Sequence, residues 1–470
     1  MSESWANSGL DLHLDLGRTR RAATVEAAIR AAILDGRLAP GSRLPPSRSL
    51  AADLGIARNS IADVYGRLVA EGWLESRVGS GTWVSDRRVV APERTPVGTD
   101  TAFSLDLRGG LPDASGFPRS EWAAATRRAL ARAAVSSFGY GDPAGHGALL
   151  SSLATYLGRA RGVWAEPDRV VVMHGFGEIL AVVSRALVAR GARRVGVEAY
   201  GHERHRRILM AAGLDIVALS LDAEGADVSR LDELGVDAVL LTPAHQFPTG
   251  VPLSPARRVE VVRWAERTNG LVIEDDYDGE FRFDGRTIGA LQALAPERVV
   301  YAGTASKSLA PAVGLAWAVV PPDLRPCLLE QRLLLGSSVD SLAQLSLAEF
   351  IDGNQYDRHL RALRSMYRER RRHLEEVLDG LLPGCAVTGM AAGLHCLVEL
   401  PPGVDEADVE AEAAERGLRV EGVSRYLVEG APPSVVRALV LGFGAPPPHR
   451  YDEALAIVAE AVRSATRSRR

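Results

Sequence analysis

The sequence predicts an α/β chain in two parts, a small basic module at the N-terminus and a large domain built on a mostly parallel sheet. Three observations predict it. Residues 24 to about 85 read as three short amphipathic helices followed by two strands around a glycine-rich tip. From Val170 onward, apolar strand-like runs alternate with helical stretches. The net charge of -4 also divides unevenly: Arg18 to Arg88 carries 12 Arg against 7 Asp or Glu, a balance of +5 that leaves -9 for the rest. A basic module on an acidic body suits a phosphate-binding domain attached to a soluble partner.

At 470 residues the chain exceeds one core. It lacks an apolar run of eighteen residues, and Met1 to Leu16 carries acids where a signal peptide needs a basic and then an apolar region. The expectation is a cytoplasmic protein that does not engage a membrane. Cys327, Cys385 and Cys396 lack metal-ligand spacing, so neither a metal site nor a disulfide framework is expected.

In the first helix Val25, Ala28, Ile29, Ala32 and Ile33 recur at helical spacing, with Thr24 as N-cap and Gly36 as stop. Ser47 caps the second, which Gly55 ends. The third gathers Ile61, Val64, Tyr65, Leu68 and Val69 on one face and leaves Arg58, Asn59 and Ser60 at its exposed first turn, where a recognition helix meets the major groove. WLES, RVGSG and TWV then form a wing.

The run from Leu44 to Val84 resembles the winged helix-turn-helix of GntR-type regulators. The resemblance implies a double-stranded DNA operator as partner, approached by Arg48, Arg58, Asn59, Ser60 and the wing residues Val78 and Gly79. Arg48 and Arg58 would position phosphates or read guanine. The module is assigned to residues 1–85, with a linker over 86–104 that lacks an apolar period and contains two prolines.

Residues 105–470 form the large domain. Strands are predicted at 170 to 173, 195 to 197, 216 to 219, 238 to 242, 271 to 275, 299 to 303 and 315 to 320, with a helix from Glu178 to Arg190 and another opened by Ser254 and Pro255. Ligands of such sheets gather beyond strand C-termini. Asp275 and Tyr277 lie just past one end and Lys307 just past another.

Lys307 is the single lysine among 55 basic residues. An amine can lose its proton and attack a carbonyl, which a guanidinium cannot. Pyridoxal phosphate needs such a lysine, a carboxylate for its pyridine nitrogen, hydroxyls or amides for its phosphate and a donor near its phenolic oxygen. Lys307, Asp275, Thr304 with Ser306, and Tyr277 offer these in turn.

HQFPTG (245 to 250), VIEDDYDGEF (272 to 281) and YAGTASKSLAPAVGLAW (301 to 317) resemble fold type I, pyridoxal-phosphate-dependent aminotransferase domains, with a smaller C-terminal subdomain expected over about 325–470. With the module in front, the whole chain resembles MocR-type regulators. The resemblance implies a homodimer that senses pyridoxal phosphate or an amine effector, with Lys307 as the Schiff-base lysine. It adds Gly175 and Phe176 to the phosphate turn, and His202, or Tyr200, as the ring-stacking aromatic. His245 lines the pocket in this reading.

The chain departs from that pattern at several positions. Gly314 stands where an arginine commonly binds phosphate, which would weaken the cofactor's hold. Phe176 and Gly177 replace polar groups, and Glu178 would bring a negative charge near phosphate. Val440 stands where a substrate-carboxylate arginine aligns; Arg425 is the only nearby substitute. Two alternatives follow: an active aminotransferase with a DNA-binding appendage, and a regulator whose sensor domain no longer binds pyridoxal phosphate.

Overall fold

The computed structural model describes residues 22–77, 80–86, 103–283, 288–433 and 436–467. The chain divides into two compact units, Met1–Thr99 and Asp100–Arg470.

In the first unit, helices Ala22–Leu34, Ser47–Leu54 and Arg58–Ala70 pack on an antiparallel pair, Leu74–Arg77 with Gly81–Val84. Val25, Ile29, Leu50, Ile61, Val64, Leu68, Leu74 and Val84 are buried in one core. The first helix is already formed at Ala22, so Thr24 lies inside it and does not cap it. Pro46 takes the N-cap position of the second helix, making Ser47 its first residue. Gly55 ends that helix in the left-handed region at φ 65°, as its sequence position predicts. The expected linker falls almost wholly outside the described residues.

The large unit is centred on a seven-stranded sheet in the order Val170–Met173, Ala316–Val319, Val299–Thr304, Leu271–Asp275, Ala238–Leu241, Arg194–Glu198, Asp215–Leu219. Strands from 299–304 to 215–219 are parallel. Most are apolar throughout because helices cover both faces. Ala316–Val319 runs antiparallel to both neighbours. The stretch from 305 to 315 is too short for a helical crossover and simply returns the chain.

A second sheet joins Val387–Thr388, His395–Glu399, Ala438–Gly442 and Glu421–Gly422, all antiparallel. The first strand of the unit, Leu105–Asp106, pairs with Leu418–Arg419 and brings Gly109 and Gly110 between the two sheets. A Cβ at Gly442 would lie 2.2 Å from the Arg108 carbonyl, so this close crossing admits only glycine. Among the described residues no helix is long and apolar enough to cross a membrane.

Candidate functional site

A cavity of about 470 Å³ opens at the C-terminal ends of strands 271–275 and 299–304. It brings together Lys307, Asp275, Tyr277, Thr304, Ser306, Gly175, Phe176 and His202, eight of the nine cofactor-site residues the sequence suggested. The ninth, His245, is buried behind Tyr277 and is not in the cavity wall.

Lys307 sits on a one-turn helix, Ala305–Ser308, capped by the Thr304 hydroxyl, which accepts from the Ser306 amide at 3.1 Å. Burial lowers the basicity of its amine, while Asp275 and Asp278 act in the opposite direction. Asp275 ends its strand, buried, and no hydrogen bond reaches its carboxylate among the described residues. Burial pushes its carboxyl well above the usual range; repulsion from Asp276 and Asp278 adds to this and Lys307 opposes it.

The strand end is fixed from behind. Arg161 grips Asp276 in a two-pronged pair, Nε to Oδ2 at 2.7 Å and Nη2 to Oδ1 at 2.9 Å, and Tyr301 donates to the same carboxylate at 2.8 Å. Tyr277 donates to the His245 carbonyl at 3.1 Å, and His245 Nδ1 lies 2.8 Å from Asp278 Oδ2. His245, Asp278 and His395 also form a buried trio with donor atoms within 4.8 Å of one another, a grouping that cysteine spacing could not suggest. Asp278 is already engaged by the His245 ring.

Aromatic rings form the opposite wall. His202 stacks on Phe247 with centroids 4.2 Å apart at 16°, and Tyr200, though buried, also lines the cavity. His205 meets the edge of Phe176 at 4.8 Å. Burial first, then the nearby Lys307 and Arg206 charges, lowers His202 to about 4, although this residue opens toward the cavity mouth. His205 falls to about 3, mainly through burial. Both rings are therefore neutral near pH 7. Burial raises Glu198 to about 7, despite hydrogen bonds from Thr242 and Gln246.

Glu178 lines the cavity and sets its carboxylate on the phosphate turn: one oxygen accepts from the His174 amide at 2.7 Å, and the other accepts from Ser337 at 2.6 Å and faces Arg332 at 3.7 Å. Capping the start of its own helix, Phe176–Ala189, holds it there. Arg425 is exposed, faces Glu421 at 3.7 Å, and does not line the cavity. Sequence reading missed Gly110, Glu198, Arg204, His205 and Arg206, which do line it. The run HERHRR at 202–207, just past a strand end, was the available signal.

In the first unit Arg48, Arg58 and Asn59 are exposed and Ser60 is half-buried. Neither arginine forms an ion pair among the described residues. Val78 and Gly79 lie outside the described residues.

Comparison with known proteins joins the two parts. Residues 21–84 match the bacterial regulatory proteins of the gntR family, and residues 109–454 match aminotransferase class I and II. The chain is 33% identical to the pyridoxine biosynthesis transcriptional regulator PdxR of Corynebacterium glutamicum, over 92% of this chain and 94% of that one. It is 31% identical to the probable rhizopine catabolism regulatory protein MocR of Rhizobium meliloti, over 91% and 90%. The chain belongs to the MocR-type transcriptional regulators. Among solved structures, the kynurenine aminotransferase of Pyrococcus horikoshii shares the large unit's fold, with a TM-score of 0.68 at 24% identity over 77% of this chain and 91% of that one. The regulator thus couples a DNA-binding winged helix to an aminotransferase-like domain.

Proposed function

We propose that the regulator binds pyridoxal phosphate, or an amine that reacts with it, in this cavity through Lys307, and that occupancy sets its affinity for a double-stranded operator. The observation that carries this reading is the meeting of a low-basicity amine, Lys307, with a buried carboxylate, Asp275, that lacks a donor. The donor set fits the group: a protonated pyridine nitrogen would give Asp275 the cation it lacks. When bound, pyridoxal phosphate supplies an electrophilic carbonyl. The flat His202 ring would cover its face, Tyr277 would stand by its phenolic oxygen, and Thr304 and Ser306 would reach toward its phosphate.

An incoming α-amino acid would find buried, apolar Val440 where a carboxylate-binding arginine aligns, and Arg425 lies elsewhere. Amino-acid turnover is therefore expected to be slow. Homodimerisation fits the exposed apolar side chains Val135, Phe138, Tyr140, Leu333 and Leu334 on the large unit.

Because Lys307 is the only lysine, labelling is easy to locate. Pyridoxal phosphate added to the full chain is expected to give a visible absorbance band that borohydride abolishes, leaving a phosphopyridoxyl mass on the Lys307 peptide. Only the neutral amine attacks, so a lowered pKa moves the rise in reaction rate to lower pH than for a free lysine model compound. Absence of the band, or labelling confined to the chain's α-amine, would defeat the reading.

On the DNA side, Arg58→Ala is expected to weaken operator binding by about tenfold, within the roughly 1–3 kcal/mol that one arginine contact contributes. Electrophoretic mobility shift against a duplex selected by the wild-type chain measures this. Unchanged affinity would remove Arg58 from the contact surface.

A further inference from the structure

The cations lining the cavity have different commitments. Arg206 donates to the carbonyls of Gly201 at 2.6 Å, Tyr426 at 3.1 Å and Leu427 at 3.4 Å, which fixes it as a clamp between loops. Lys307 is opposed by Asp275. His202 and His205 are neutral. Arg204, exposed on the first turn of the helix Glu203–Ala211, forms neither an ion pair nor a hydrogen bond among the described residues.

Its guanidinium lies against the turn that opens the helix Phe176–Ala189: a Cβ at Gly177 would stand 3.3 Å from Nη2 and 3.6 Å from Cζ of Arg204. The amides of Phe176 and Gly177, first in that helix, lack a carbonyl partner among the described residues. Glu178, the anion that could compete, is bound to His174, Ser337 and Arg332. Gly314, at φ 62°, offers only backbone.

We propose that Arg204 grips the phosphate of the ligand against this helix start, supplying from a different helix the cation absent at Gly314. The inference rests on the ligand reading above and narrows the ligand to a phosphorylated carbonyl compound in preference to the free aldehyde. A guanidinium meets a phosphate with two parallel hydrogen bonds, and helix-start amides donate to its remaining oxygens. The small Gly177 leaves the space in which Arg204 rests.

The test is an absorbance titration of the full chain, and of Arg204→Gln and Arg204→Lys, with pyridoxal phosphate and separately with pyridoxal. Arg204→Gln is expected to raise the Kd for pyridoxal phosphate about tenfold or more, with pyridoxal unchanged. Arg204→Lys should fall between, since it keeps the charge but loses the fork. Inorganic phosphate should compete with pyridoxal phosphate on the wild type and much less on Arg204→Gln. If the variant weakens both ligands equally, or neither, Arg204 does not read the phosphate although the cavity still binds the aldehyde. If the wild type binds neither ligand, the cavity reading fails and this inference with it.

Discussion

Replacing Lys307 with alanine is expected to abolish the borohydride-fixed adduct completely while leaving the fold intact. Lys307 is the chain's only side-chain amine, and a neighbouring arginine cannot take its place because its guanidinium keeps its proton. The truncation removes a desolvated cation that lacks a hydrogen-bond partner among the described residues, so the change in stability should be small. It also withdraws the one group that holds the Asp275 carboxyl down against burial. The variant's Asp275 should therefore titrate still higher, weakening any residual noncovalent hold on a protonated pyridine ring. Mass spectrometry after reduction, paired with thermal denaturation, separates loss of the nucleophile from loss of the fold. An adduct surviving in Lys307→Ala at wild-type yield would place the reactive amine elsewhere.

The largest stability effect is expected from Arg161→Met. Arg161 and Asp276 are almost wholly buried, and the fork between them closes with two hydrogen bonds. Removing the guanidinium leaves Asp276 with Tyr301 as its side-chain donor in a site closed to water. The expected loss is roughly 3–5 kcal/mol, most of it the penalty of a buried charge without its partner. The double variant Arg161→Met, Asp276→Leu should recover part of that loss, because well-packed apolar groups substitute for a buried pair at little net cost. Urea denaturation followed through the large unit's tryptophans measures both. A single-variant loss below about 1 kcal/mol would mean that water reaches the pair. The pair also matters to the site, since Asp276 is the neighbour whose charge adds most to the rise at Asp275.

The strands of the large sheet were legible because a strand buried on both faces must be apolar throughout, and each predicted run lies within about a residue of an observed strand. The antiparallel sense of Ala316–Val319 was not legible: it depends on the length of a connection, which composition does not encode. The caps at Thr24 and Ser47 were misread because the first helix is already formed before Thr24 and Pro46 takes the N-cap position of the second. Lys307, Asp275 and Tyr277 stood out because their chemistry is rare and their positions follow strand ends. The basic corner was hidden. Arg204 is one arginine among many, and its meaning depends on Gly177 lying beneath it in space, 27 positions away in sequence. Arg425 failed for the converse reason: proximity in sequence to the small sheet did not turn its side chain inward.

The central claim is that ligand at Lys307 alters DNA binding, and fluorescence anisotropy on a selected operator tests it most directly. The wild-type chain and Lys307→Ala would be titrated with and without saturating pyridoxal phosphate at fixed salt, because phosphate contacts make affinity salt-dependent. The account predicts a shift in operator Kd of about fivefold or more for the wild type, the low end of ordinary coupling between sites, and none for the variant. An unchanged Kd in a wild-type chain whose absorbance shows full occupancy would contradict it.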